Sequence, residues 1–202
     1  HRLCGAHRDV TATNDTDVEI VIAIVIVAEP PACMGSKNIL VDVNSNENVD
    51  TISVQIKNGL INGKRQTYEG RDLDVFLGIP YAQPPIGDLR FKKPLPLDRK
   101  WEQPLDAQHW PPACYHHKLH QDYFNHNMSE DCLHLNIWTP VNAKSAGALK
   151  PVMFWIHGGG LVFGSSVEKF YSGEVLSALG DVVVVTINYR LNVFGLLYTG
   201  AE

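Results

Sequence analysis

Val152-Met153-Phe154-Trp155-Ile156 runs directly into His157-Gly158-Gly159-Gly160, and no other stretch of the chain restricts the fold as much. The five apolar residues show no polar alternation and are rich in aromatic and branched side chains, the pattern of a central strand covered on both faces. Three consecutive glycines cost backbone entropy on folding and add nothing to a core. The strand is therefore expected to end in a turn where backbone N–H groups must approach another group closely. An oxyanion suits such a turn.

The chain has 202 residues, 45% of them hydrophobic, enough for a packed core within one domain. Its net charge is -5 with acids and bases interspersed, which gives no footprint for nucleic acid or an anionic membrane. The cysteines are Cys4, Cys33, Cys114 and Cys132, with no C-x-x-C pair among them, so neither a metal site nor a cofactor is expected. Cys114 and Cys132 bracket a polar loop. They are either two free thiols or a disulfide, which for a loop of that size contributes roughly 3 kcal/mol in the chain-entropy account; the redox compartment decides between them. Asn127-Met128-Ser129 inside that loop, and Asn14-Asp15-Thr16, match the N-glycosylation acceptor pattern and lean towards a secretory route. His116, His117, His120 and His126, with His134 nearby, have no acid or cysteine at ligand spacing and are expected in a solvated loop.

Residues 1–48 carry no assignment of their own. Within them Ile20 to Ala28 has the length of a signal-peptide core, but its acidic flank (Asp15, Asp17, Glu19) and β-branched content suit a strand equally. From Thr51 the texture changes to short alternating strands, with turns expected at Asn58-Gly59 and Asn62-Gly63, reading as a small antiparallel meander. Asp74 to Pro80 is a further strand, and Tyr81 to Pro96 a loop. Leu133 to Thr139 alternates cleanly, with Leu133, Leu135 and Ile137 expected on one face. After the glycines come a short helix around Glu174 to Leu179 and a buried strand from Asp181 to Thr186, so the later part reads as α/β with parallel pairing. A sheet stopping at Glu202 would expose an apolar edge, and further residues are expected to complete it.

In that order, Phe76-Leu77-Gly78-Ile79-Pro80-Tyr81-Ala82, Pro84-Pro85, Leu89-Arg90-Phe91, Ser129-Glu130-Asp131-Cys132-Leu133, His157-Gly158-Gly159-Gly160 and Asn188-Tyr189-Arg190 resemble the type-B carboxylesterase and cholinesterase family, over about Thr51 to Tyr198. The resemblance implies an α/β-hydrolase fold in a domain well over twice this length. Residues 49–202 would be its N-terminal part, the meander leading into the central mixed sheet. In such enzymes an HGGG-type loop supplies an oxyanion-hole N–H and a serine on a G-x-S-x-G elbow is the nucleophile, followed in the chain by the acid and the histidine. No G-x-S-x-G occurs in these 202 residues. No catalytic residue of the triad is therefore expected in them, and the chain alone is not expected to be active.

The resemblance further implies that Gly159 and Gly160 are oxyanion donors, that Gly158 makes the turn, and that His157 shapes the loop rather than acting as the base. It makes Arg90 and Glu130 a buried structural ion pair. Glu130 and Asp131 are neighbours that point opposite ways in extended chain, a poor acid and base team. The family's cholinesterases carry a tryptophan between the two cysteines that holds the choline cation, and Cys114 to Cys132 contains none, which favours a general carboxylesterase. Hydrolysis of small carboxylic esters by a secreted serine esterase is the expected function of the whole protein. The alternative is a catalytically inactive adhesion or binding domain of the same fold; an intact glycine run favours the enzyme.

Overall fold

The computed structural model describes residues 22–24, 50–117, 127–141, 150–198 and 200. Cys4, Asn14, Cys33, His120, His126 and most of the run from Ile20 to Ala28 lie outside them. Of that run, Ile22–Ile24 form strand β1. Strands β2 (Thr51–Ile56), β3 (Gly59–Tyr68) and β4 (Arg71–Pro80) form an antiparallel meander. The β3–β4 turn holds Glu69 at φ 47° and Gly70 at φ 74°, the doubly left-handed geometry whose twist matches a hairpin. Asn62-Gly63 is not a turn: it lies inside β3, where a Cβ at Gly63 would stand 2.4 Å from the Phe76 ring. The glycine there admits an aromatic ring rather than reversing the chain.

Beyond the meander come β5 (Leu105–Asp106), the short parallel pair β6 (Ala113–Cys114) and β7 (Met128–Ser129), then β8 (His134–Pro140), β9 (Val152–Ile156), helix α1 (Glu174–Gly180), β10 (Val183–Ile187) and helix α2 (Asn192–Leu196). The main sheet has the order β1-β9-β10-β8-β4-β3-β2, with β5 added to β3. Pairing is antiparallel from β2 through β10 and parallel from β10 through β9 to β1, a mixed α/β sheet. Parallel β9 and β10 need a crossover of a dozen or more residues, and the glycine turn and α1 occupy it.

Both faces of the middle strands are covered. One carries Leu73, Val75, Leu77, Trp138 and Val184 against Ala178 of α1; the other gathers Ile61, Phe76, Ile79 and Ala107 with Leu135 and Ile137. The alternation in β8 therefore misleads as to depth. Leu135 and Ile137 are half-buried, while Asn136 and Trp138 on the opposite face are fully buried. A β-bulge between Phe76 and Ile79 returns Ile79 to the Phe76 face, and Asn136 Oδ1 accepts the freed Gly78 N–H at 3.0 Å. Strand β9 is less covered than its composition predicts. Its first four residues are half-buried and Ile156 is exposed: Met153 packs on the cluster around Trp138 and Ala178, while Phe154 and Trp155 line an open pocket with Phe170, Tyr171 and Leu176.

Cys114 and Cys132 form a disulfide, buried with Ala82 and Leu133. It closes a loop of sequence separation 18, so replacing both cysteines by serine should lower the unfolding free energy by roughly 3 kcal/mol. Urea melts of the protein and the double variant measure this. Equal midpoints would mean that the loop is held by its packing alone.

Candidate active site

The sequence places an apolar strand before the glycines and an Asn-Tyr-Arg run after β10. Parallel pairing of β9 with β10, Ile156 opposite Ile187, brings both to the same end of the sheet. The turn starts at His157, which is buried. Gly159 and Gly160 follow at φ 119° and 59°, and Leu161 is also left-handed at 63°. Gly158 is not where the turn demands a glycine. Its φ is ordinary and a Cβ there would meet open space, whereas a Cβ on Gly159 would stand 2.0 Å from the Phe163 carbonyl oxygen. The reversal thus begins one residue later than the resemblance implies.

The carbonyls of the turn are held one by one. With its proton on Nδ1, His157 donates to Gly158 O at 2.9 Å. Gly159 O accepts from Val162 N at 3.0 Å and Phe163 N at 3.2 Å. Tyr189 Oη donates to His157 O at 2.6 Å. At the far end Asn192 donates its backbone N–H to Leu161 O and its side-chain amide to Val162 O, both at 3.0 Å. In a trans peptide the N–H points opposite to the C=O. Fixing the Gly158 and Gly159 carbonyls therefore fixes the directions of the Gly159 and Gly160 N–H groups, and among the described residues no acceptor takes either of them. Two adjacent unpaired donors in a turn can bind one negatively charged oxygen.

The other residues singled out from the sequence fall around this turn or support it. His116 is buried, contrary to a solvated loop, and lies close enough to His157 to oppose its protonation. His117 N donates to Val162 O at 3.1 Å. Among the described residues no three His, Cys, Asp or Glu side chains gather as they would around a metal ion. Arg90 and Glu130 make a bidentate pair at 2.5 and 2.7 Å, which holds the Glu130 carboxyl below its usual range. The pair is not buried: Arg90 is 42% and Glu130 19% exposed, because the loop carrying Arg90 runs over the surface. Solvent screening makes it an orienting contact more than a source of stability. Asn127 is exposed beside β7.

Ser165 and Ser166 follow the turn but are fully buried and structurally engaged, with Ser165 Oγ accepting from Val167 N and Ser166 Oγ from Asn136 Nδ2. Neither is placed as a nucleophile. Asn136, Asn188 and Asn192 were not legible as site residues. Asn188 is marked only by its place in the Asn188-Tyr189-Arg190 motif, with no role attached, and Asn192 only by asparagine's tolerance of left-handed backbone, which it adopts at φ 52°.

Burial pushes His157 and His134 below the ordinary imidazole value of 6.5. As pH falls below about 6.5 the unfolded chain takes up these protons first, so stability present above that pH should be progressively lost. A further loss should follow below about 4.5, where the carboxylate of Glu130 is protonated first in the unfolded chain. Urea midpoints measured from pH 7.5 to 3.5 follow both, and a flat profile from 7 to 5 would contradict burial of two neutral rings.

A family profile described as the carboxylesterase family matches residues 50–202. The chain is 38% identical over 169 residues to an acetylcholinesterase of Leptinotarsa decemlineata, covering 74% of this chain and 26% of that protein. It is 47% identical over 157 residues to acetylcholinesterase-1 of Trittame loki, 74% of this chain and 28% of the relative. With carboxylesterase 3 of Pongo abelii the identity is 44% over 155 residues, covering 71% and 26%. The chain spans about a quarter of the length of these relatives, and over that span it belongs to the carboxylesterase family.

Proposed function

We propose that these residues are the N-terminal part of an α/β-hydrolase domain that hydrolyses small carboxylic esters, with Gly159 and Gly160 as oxyanion donors and the serine nucleophile on a segment not among these 202 residues. The observation that carries this is the pair of adjacent Gly159 and Gly160 N–H groups that no acceptor takes among the described residues, in peptides whose carbonyls, on Gly158 and Gly159, are engaged elsewhere. The serine oxygen bonds to the ester carbonyl carbon as a base takes its proton, and the carbonyl π electrons move to oxygen, where the two N–H groups receive them. Collapse expels the alkoxide, which leaves with that proton; water then repeats the sequence on the acyl-enzyme.

The buried disulfide supports an oxidising compartment, and exposed Asn127 is the glycosylation acceptor we assign to it. Reading the relatives together, whose names include both acetylcholinesterases and carboxylesterases, the missing tryptophan between Cys114 and Cys132 favours uncharged esters over choline esters.

The full-length protein should hydrolyse a p-nitrophenyl ester and take a covalent fluorophosphonate adduct. An intact, folded preparation that does neither would overturn the assignment in favour of an inactive binding domain. Within the active enzyme the two glycines should differ. Gly159→Ala puts a methyl group on the Phe163 carbonyl and should lower kcat by about 10²–10³, as for loss of a donor. Gly160→Ala meets no atom and bears only the strain of an alanine at φ 59°, about 1–2 kcal/mol, so its loss should be about tenfold and well short of that of Gly159→Ala. Equal losses would show that the turn tolerates no β-carbon anywhere.

A further inference from the structure

A run of glycines is a poor way to hold a donor in place. With no Cβ on either side, the Gly158–Gly159 peptide can rotate about its flanking bonds at little cost. A flip would present the Gly158 carbonyl oxygen where the Gly159 N–H should be, replacing attraction for an oxyanion with repulsion. Something outside the glycines has to oppose that rotation.

The segment from Asn188 to Asn192, leaving β10, supplies it. Asn188 anchors the segment: its Oδ1 accepts from Ser166 N at 2.8 Å and its Nδ2 donates to Pro112 O at 3.0 Å. Tyr189 then meets His157 twice. Its hydroxyl donates to the His157 carbonyl at 2.6 Å, and its ring stacks on the imidazole with centroids 4.3 Å apart and planes 16° from parallel. The first contact fixes the plane of the His157–Gly158 peptide. The second holds the imidazole at the angle from which Nδ1 reaches Gly158 O. Gly164 closes the other side, where a Cβ would stand 2.8 Å from His157 Nδ1. Burial pushes the Tyr189 hydroxyl above its usual value, so it remains a protonated donor.

We propose that Tyr189 is a positioning residue for the oxyanion hole, acting through His157 on the Gly158 carbonyl and so on the direction of the Gly159 N–H. It touches no reacting atom. The inference rests on Gly159 being a donor, and its effect should be confined to the oxyanion: a ground-state ester makes little use of that donor, the tetrahedral intermediate a great deal.

Tyr189→Phe in the full-length enzyme keeps the stacked ring and deletes only the hydroxyl. Rates should be normalised by fluorophosphonate active-site titration carried to completion, so that any unfolded fraction drops out. The expected result is a roughly tenfold fall in kcat, smaller than the loss of a whole donor, with KM for a short p-nitrophenyl ester within about twofold. The inhibition constant of a trifluoromethyl ketone, which adds the nucleophile to form a tetrahedral oxyanion, should rise by the same factor as kcat/KM falls. Tyr189→Leu, losing ring and hydroxyl together, should lose more. An unaltered kcat per titrated site in both variants, whatever the change in melting temperature, would overturn the proposal and reduce Tyr189 to packing. A parent protein with neither ester hydrolysis nor adduct would instead overturn the esterase reading on which the proposal stands.

Discussion

The antiparallel disposition of N–H and C=O in a trans peptide is the constraint on which the site depends. A turn can offer donors to an outside oxygen only if each carbonyl of the same peptides is accepted by something on the inside, since an unsatisfied buried carbonyl costs about as much as the donors gain. Here the partners are His157 Nδ1 for Gly158 and the amides of Val162 and Phe163 for Gly159. The left-handed residues Gly159, Gly160 and Leu161 are what allow the chain to double back far enough for Val162 and Phe163 to reach. Leu161 carries the strain of that conformation without a glycine's freedom, and the Asn192 amide on its carbonyl helps to hold it there.

That inner scaffold is polar, and it is buried. Asn136 reaches from β8 to Gly78 N at the β4 bulge, Ser166 Oγ after the turn and Thr186 Oγ1 on β10; Asn188 continues the chain of contacts to Ser166 N and Pro112 O. Fully satisfied, such a network specifies one arrangement of the strands where apolar contacts alone would tolerate sliding. It ties the bulge in the meander to the glycine turn across the width of the sheet. Tyr81 Oη on Asn188 O and Arg190 on Lys92 O extend the same frame into the proline-rich loop, whose Phe91 stacks at 6.0 Å on Phe194.

Strand positions were largely legible, because hydrophobic runs and turn residues report local backbone geometry. The antiparallel meander, the strands around Asp74, Leu133, Val152 and Asp181 and the helix at Glu174 follow from pattern alone. What was lost is whatever depends on a neighbour distant in sequence. Asn62-Gly63 has the letters of a hairpin turn, but the glycine serves Phe76, thirteen places on by number and adjacent in space. Leu135 and Ile137 read as one apolar face of β8, yet Asn136 on the other face lies deeper, held by partners at Gly78, Ser166 and Thr186 from three other segments. At the site the glycines announced themselves through their sheer improbability. The roles of the residues around them did not: Tyr189 stands in a quoted motif, but it and Asn192 act on backbone carbonyls, and a carbonyl has no letter in a sequence.

The surroundings of the turn add a final physical term. Ile156, Leu161 and Val162 flank the glycines and are between 42% and 48% exposed, which puts apolar side chains beside polar N–H groups. A donor in water has its hydrogen bond to exchange, and gains little from a new acceptor. The same donor ringed by apolar side chains faces a lower effective dielectric once a ligand covers them and expels the water, and its attraction for a developing negative charge grows accordingly. On the proposed reading, the ester's own apolar groups would supply that cover. The turn would then be a weak site when open and a strong one when occupied, with the rigid Tyr189–His157 contact sparing it any reorganisation at the moment the charge appears.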